Sequence, residues 1–523
     1  ERPASPRQAR TKKSMKDLYG TTLKLTGHYA FGNIARRGIQ FLMVPFVTAA
    51  IPTADYGAVG MAALVVAFLA LLTETPAITG ALERFFFHPD YIHRQGKLLF
   101  NLALFAAGKS VIITAAYLLA IPLISRLLLK NPGYEGLLAW FSLVLLLWPI
   151  WSMLLSLMKL RELAGRYVLF NCISGAACAG VTLYLLLFRG WGASAMAVGL
   201  AVDYAVVIVL AAPIFLRESS FKLDLGMIRR PLAFGYPLLG SGAARLATLL
   251  VNRAIIVFYR GLGPAGIFTF GFGLSEAVDS VAVNPFANGI APTIRKLESD
   301  ANRQRQFIRH AATSYYLLAM FLGLGLSLLS PELVRLLGRQ EGYWRAEVVV
   351  PLLAMAFVQQ ALGTFLEWGM VMRNKSYHIS AVLIASCCAN IALSLVLVPL
   401  WGIAGAAAAM TASYVIWNIL KMYYSARMYD LHFELGRLAH ITAVGVGLFA
   451  LCLPVWSRDP SVAIIALKLA VIAAFPLVCY ATRLFRRTEV EFARNFVRLI
   501  RTSGLQRALR EVFAPPQPEE AQR

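Results

Sequence analysis

The sequence predicts an all-α polytopic membrane protein of about fourteen helices, built as two six-helix lobes in parallel repeat with two further helices at the C-terminal side. Three observations carry that prediction. Hydrophobic residues make up 58% of the 523 residues and charged residues 15%, with a mean hydropathy of +0.64. Soluble domains carry roughly 25% charged residues. Apolar stretches of membrane-spanning length recur along the whole chain. Finally, Lys and Arg crowd into every second connection between those stretches, as they do where loops alternate between cytoplasm and exterior. The excess of 50 Lys+Arg over 27 Asp+Glu has no basic globular domain to sit on. It therefore points to topogenic charge beside anionic membrane lipids rather than to a nucleic-acid partner.

In chain order, residues 1–26 form a basic N-terminus without the apolar core of a cleavable signal peptide. A first lobe, 27–216, holds spans near 27–51, 57–80, 98–124, 137–158, 168–188 and 192–216. A linker at 217–231 leads to a second lobe, 232–426, with spans near 232–259, 263–293, 307–330, 347–372, 377–400 and 402–426. Two more spans follow at 438–456 and 461–482 within the segment 438–482. The separators are short, as at Pro52–Tyr56, Arg189–Trp191, Arg260–Gly263 and Arg373–Lys375, so antiparallel hairpins are expected. The charge alternation puts both termini in the cytoplasm of a bacterial inner membrane. Beyond the last span, Val490, Phe492, Phe496, Val497, Ile500, Leu505 and Leu509 recur at helical spacing among arginines. Residues 488–513 thus read as a basic amphipathic helix, lying on the inner leaflet or docked on the cytoplasmic face. The segment 514–523 has the composition of a disordered tail.

A repeat runs through the two lobes. Gly190-Trp-Gly-Ala193 and Leu400-Trp-Gly-Ile403 each open a span, and at the same offset Ala197 meets Ala407, Tyr204 meets Tyr414 and Val206 meets Ile416. Ala30-Phe-Gly32 recurs as Ala233-Phe-Gly235, and the first hairpin turn ends at Gly57 in one half and Gly266 in the other. Six helices is an even number, so both halves enter from the same side. Their axis then lies along the membrane normal, and a central cavity between the lobes suits alternating access. Pro45, Pro76, Pro237 and Pro285 are expected to interrupt spans of both halves.

Charge inside the spans is the functional signal, because a Lys or Arg at the middle of a lipid-facing helix costs about 2.5–3.5 kcal/mol. Arg36, Arg37, Lys109 and Arg245 lie deep, whereas Arg253 and Lys468 are close enough to a span end to snorkel. The repeat offset carries Arg36 onto Arg245, which would make them a facing pair across the cavity. Guanidinium groups bind phosphate oxygens in a bidentate manner, so Arg36, Arg37, Arg245, Lys109 and Arg253 are candidate ligands for an anionic substrate such as a diphosphate or an acidic sugar. Purely structural pairing with intramembrane carboxylates is the competing reading. Those carboxylates are Glu74, Glu83, Asp203, Glu276, Asp279 and Glu367. Glu276 and Asp279 share one helix face and could bind a coupling H⁺ or Na⁺, or pair with Arg253 or Arg245. Glu74, Asp203 and Glu367 are further candidates for ion coupling.

No catalytic constellation is evident, and no cofactor is implied. The seven histidines show no H-x-x-x-H spacing, and a P-loop lysine motif is absent. His88, Asp90 and His93 come nearest to a metal site without the spacing of one. Cys172, Cys178, Cys387, Cys388, Cys452 and Cys479 all fall in apolar stretches and read as small packing residues.

The chain resembles the multidrug/oligosaccharidyl-lipid/polysaccharide exporter superfamily, in its polysaccharide-transport and O-antigen flippase branch. The residues that carry this are Pro45 with the Ala54-Asp-Tyr-Gly57 turn, and Phe234-Gly-Tyr-Pro237 leading to Asn252-Arg253 and Gly263-Pro-Ala-Gly-Ile-Phe268. Met372-Arg-Asn-Lys375, followed by Val398-Pro-Leu-Trp-Gly-Ile-Ala-Gly-Ala-Ala407, completes the set. The resemblance implies export of an undecaprenyl-diphosphate-linked oligosaccharide through a cationic cavity, driven by an ion gradient or the membrane potential. It also implies a monomer working beside a polysaccharide polymerase and a chain-length regulator. Fourteen spans suit the related lipid II flippases too, which keeps that substrate open. A drug exporter of the same superfamily would favour a carboxylate-lined cavity. A membrane glycosyltransferase or polymerase would call for a longer external loop than 331–346.

Overall fold

The computed structural model describes residues 36, 38–73, 75–236, 238–280, 294, 300–373, 376–429, 431–459, 461–482 and 484. Among them the secondary structure is helical throughout. The principal helices are α1 (Gly38–Ala50), α2 (Thr53–Leu72), α3 (Thr75–Phe85), α4 (Gln95–Ile124), α5 (Glu135–Leu160), α6 (Ala164–Leu187) and α7 (Ser194–Glu218). After the linker come α8 (Leu238–Arg260), α9 (Leu262–Val278), α10 (Ala301–Leu328), α11 (Val349–Leu366), α12 (Ser376–Trp401), α13 (Ile403–Met428), α14 (Leu435–Trp456) and α15 (Val462–Ala481). Twelve helices of the described residues are long and apolar enough to cross a membrane. The shorter α1 and the 17-residue α9 occupy the places of the first and eighth expected spans. The remainder of those two spans, the amphipathic segment 488–513, the tail 514–523 and the N-terminus 1–26 lie outside the described residues.

Several expectations change in detail. The second span is two helices, because α2 ends at Leu72 and α3 starts at Thr75 with Pro76 in its first turn, a position where proline forfeits no helical hydrogen bond. The seventh span is likewise split into a short helix, Arg229–Gly235, and α8. Pro45, by contrast, sits inside an unbroken α1. The third span is longer than expected: α4 continues into a π turn, Ser125–Leu129, that ends at left-handed Lys130. The expected loop 331–346 folds into a short helix, Ser330–Leu337, and a 3₁₀ turn, Glu341–Val348.

Packing follows the repeat. In the first half α4 packs on α5, α5 on α7 and α6 on α7. In the second half α10 packs on α11, α11 on α13 and α12 on α13, which is the same set one repeat later. The halves meet where α2 crosses α9. A Cβ built on Gly57 would stand 2.3 Å from the Leu262 carbonyl oxygen, and one built on Gly266 would stand 1.8 Å from the Thr53 carbonyl oxygen. Residue 53 corresponds to 262, and 57 to 266, under one offset. The contact is therefore reciprocal, as a two-fold axis between like-oriented halves demands. Only glycine permits this approach of two backbones.

Around that crossing the two halves are stitched together at one end of the molecule. Thr48 Oγ1 donates to the Leu337 carbonyl (2.5 Å), Gln340 Nε2 to the Ala49 carbonyl (3.0 Å) and Tyr343 OH to the Ile51 carbonyl (3.0 Å). The rings of Tyr56, Phe270 and Tyr343 meet edge to face at 5.3–6.4 Å. We refer to this as the closed end. At the opposite end the linker is bound to the first half: Asn101 donates to the Lys222 carbonyl (2.9 Å) and accepts from the Asp224 amide (2.7 Å), while Arg161 pairs with Glu218. The last two helices, α14 and α15, pack against α10.

Candidate functional site

In the first half the charges converge on α7. Arg36 forms an ion pair with Asp203, and its guanidinium stands 5.2 Å over the Trp151 ring. Trp151 in turn stacks on Tyr204 at 4.4 Å, with Trp148 edge-on to both. The local sequence explains this cluster. Trp148 and Trp151 are three apart and share a face of α5, while Asp203 and Tyr204 are neighbours on α7. Asp203 is fully buried, and among the described residues neither its Oδ1 nor Arg36 Nε has a hydrogen-bond partner. A buried carboxylate of this kind depends on its one counter-ion.

The second half reproduces the frame without the neutralisation. Arg245 on α8 lies within electrostatic reach of Tyr414 on α13, as Arg36 does of Tyr204. The position equivalent to Asp203 is Ser413, whose hydroxyl donates to the Met410 carbonyl (2.8 Å) and accepts from Asn390 (3.2 Å). Arg245 is exposed and forms no hydrogen bond or ion pair with the described residues. Asp279 too is within electrostatic reach of Tyr414 and accepts from Gln360 Nε2 at 3.0 Å. The two arginines are therefore related by the repeat but differ in charge state as a group. One belongs to a neutral pair, and the other presents a bare guanidinium.

The other candidates fall in different places. Lys109 on α4 is half-buried, with its ammonium 5.6 Å from the Phe105 ring. Arg253 does not snorkel. It is buried beside Phe272 (5.1 Å) and within electrostatic reach of Glu276 and Tyr56. Lys468 does not snorkel either: it is 0% exposed and donates to Glu332 (2.6 Å) and to the Trp456 carbonyl (2.8 Å). The reason is that Glu332, thought of as part of a loop, is carried into the helical body by the short helix 330–337. Glu367 pairs with Lys421 at 2.7 Å, and Lys421 is fully buried, with a further bond to the Gly363 carbonyl (2.9 Å). Sequence reasoning missed Lys421, which was not among the intramembrane charges singled out. The signal was its place inside the expected span 402–426. Arg37 and Glu74 lie outside the described residues. Among the described residues no three potential ligands gather into a metal site.

Comparison with known proteins agrees with this architecture. A family profile described as "Polysaccharide biosynthesis protein" matches residues 51–346. A succinoglycan biosynthesis transport protein, ExoT, of Rhizobium meliloti (strain 1021) is 24% identical over 324 residues, covering 61% of this chain. The chain spans 63% of the length of that curated relative. Among solved structures, the lipid II flippase MurJ in an inward closed conformation superposes with a TM-score of 0.72 at 12% identity, covering 87% of this chain and 99% of that one. A multidrug resistance MATE family transporter, inward-facing, gives a TM-score of 0.63 at 12% identity, with 81% and 99% covered.

Proposed function

We propose, from the premise that the chain belongs to the polysaccharide biosynthesis protein family of the multidrug/oligosaccharidyl-lipid/polysaccharide exporter superfamily, that it moves an undecaprenyl-diphosphate-linked oligosaccharide from the inner to the outer leaflet. The observation that carries this reading is Arg245, an exposed guanidinium partway along a membrane helix with no ion-pair partner among the described residues. A bare cation at that depth is expensive in lipid and is kept for an anionic ligand. A diphosphate offers the paired oxygens that a guanidinium binds best. The Arg36–Asp203 pair across the repeat adds no net charge, so the diphosphate docks first on the second half.

The basic loops favour a cytoplasmic linker end and an external closed end. Substrate then enters from the inner leaflet, and the seam at Gly57 and Gly266 must part for release. Asp279, hydrogen-bonded by Gln360, together with Glu276, is the proposed H⁺ or Na⁺ site that couples release to the ion gradient. In this reading a polymerase with its chain-length regulator receives the product, and the exporter works as a monomer. A lipid II substrate is the second reading. The MurJ likeness, which extends over 99% of that chain, favours it, whereas the succinoglycan transport relative favours the oligosaccharide.

The test is complementation of strains lacking either kind of flippase. Arg245→Ala is expected to abolish surface polysaccharide while the protein stays inserted at normal abundance, and Arg245→Lys to retain part of it. Full complementation by Arg245→Ala would contradict the proposal. Rescue of a lipid II flippase deletion, without rescue of polysaccharide export, would assign the second reading.

A further inference from the structure

Residues 330–348 lie between two sets of bonds of different character. Toward the first half they hold the seam by uncharged contacts: hydrogen bonds of Leu337 from Thr48, the Arg339 amide to Thr48 Oγ1 (3.2 Å), Gln340 to Ala49 and Tyr343 to Ile51, with the Tyr343 ring edge-on to Tyr56. Toward α14 and α15 the attachment is ionic, with one pair buried and the other at the surface. Lys468, 0% exposed on the most apolar of the spans among the described residues, reaches Glu332 and the Trp456 carbonyl. Arg335 pairs with Asp459 (2.9 Å) at the α14–α15 turn, and Trp456 Nε1 donates to the Ser327 carbonyl (2.9 Å). Arg335 also covers the Trp344 ring at 5.5 Å, which joins the two parts of the segment.

A charge as deeply buried as Lys468 cannot lose its counter-ion cheaply, whereas seam hydrogen bonds that part into water are replaced by bonds to water. When the closed end opens, the segment must therefore leave the first half and stay with α14–α15. We propose that 330–348 is a strap across the exit seam and that the C-terminal helix pair, through Lys468–Glu332, is the anchor that holds it shut. The two helices outside the twelve-helix repeat thereby gain a role in closing the path. Only the direction of opening rests on the export reading above; the strap itself does not.

The strap is tested by thiol accessibility of the full-length protein in right-side-out and inside-out vesicles. The native cysteines are replaced and Ile51→Cys, 1% exposed at the seam, serves as the reporter for a membrane-impermeant maleimide. Lys468→Met and Glu332→Gln are each expected to raise the labelling rate severalfold at unchanged abundance. The charge reversal Lys468→Glu with Glu332→Lys is expected to return it toward the parent value. Unchanged labelling in both single variants, or a reversal that labels as fast as the singles, overturns the strap. Labelling that rises only in inside-out vesicles supports the strap and overturns the export orientation, which keeps the two failures apart.

Discussion

Arg36 and Arg245 occupy equivalent places in the two halves, yet their neighbours give them different roles. Asp203 cancels the first, and Ser413 leaves the second bare. The consequence is a graded set of mutants. Asp203→Ala leaves the half-buried Arg36 without its counter-ion and is expected to lower stability, visible as a lowered melting temperature in detergent. Replacing both partners by apolar residues of similar size, Arg36→Met with Asp203→Leu, should recover most of that loss. Equal instability of the single and double variants would show that the pair is not a self-contained unit. Lys421 and Glu367 repeat the logic: Glu367→Ala is expected to destabilise more than Lys421→Met, because it leaves a fully buried ammonium alone. Little of this pairing was legible in the sequence. The arginines stood out, since charge within an apolar run is conspicuous. Their partners lie on distant helices, and only tertiary packing decides which carboxylate each one meets.

At the scale of elements, the helices were readable because hydropathy is local and the bilayer fixes span length. The breaks were half readable. Pro76 does fall at a break in the second span, but Pro45 does not break α1, and a proline alone does not say which. The α2–α9 crossing was visible in outline as matching turn glycines, although nothing local announced that Gly57 and Gly266 touch each other. That contact makes a sharp prediction. A Cβ at 266 would lie 1.8 Å from the Thr53 carbonyl oxygen, and backbone cannot yield as a flexible side chain can. Gly266→Val should therefore prevent the closed end from forming, without removing any helix from the membrane. Solvent access to the Ile51 position measures this, and access equal to that of the parent would show that the crossing tolerates a wider spacing.

For the molecule as a whole, the two like-oriented halves are the parts that the proposed export would move against each other, and the bare Arg245 breaks their electrical symmetry. The repeat was legible as paired motifs such as Tyr204 and Tyr414. The difference between the halves rests on one substitution within that repeat, aspartate against serine, and it gains meaning only once the arginines are seen beside it. In the proposed function, Arg245 receives the diphosphate of a lipid-linked oligosaccharide on its way across the membrane. The most direct test of this claim is a flipping assay in proteoliposomes carrying undecaprenyl-diphosphate-linked oligosaccharide, with leaflet exposure read by an impermeant glycan-modifying enzyme. The parent protein is expected to move the lipid between leaflets, with Arg245→Ala reduced to the protein-free rate and Arg36→Met with Asp203→Leu retaining measurable transport. Movement by Arg245→Ala at the parent rate would contradict the claim.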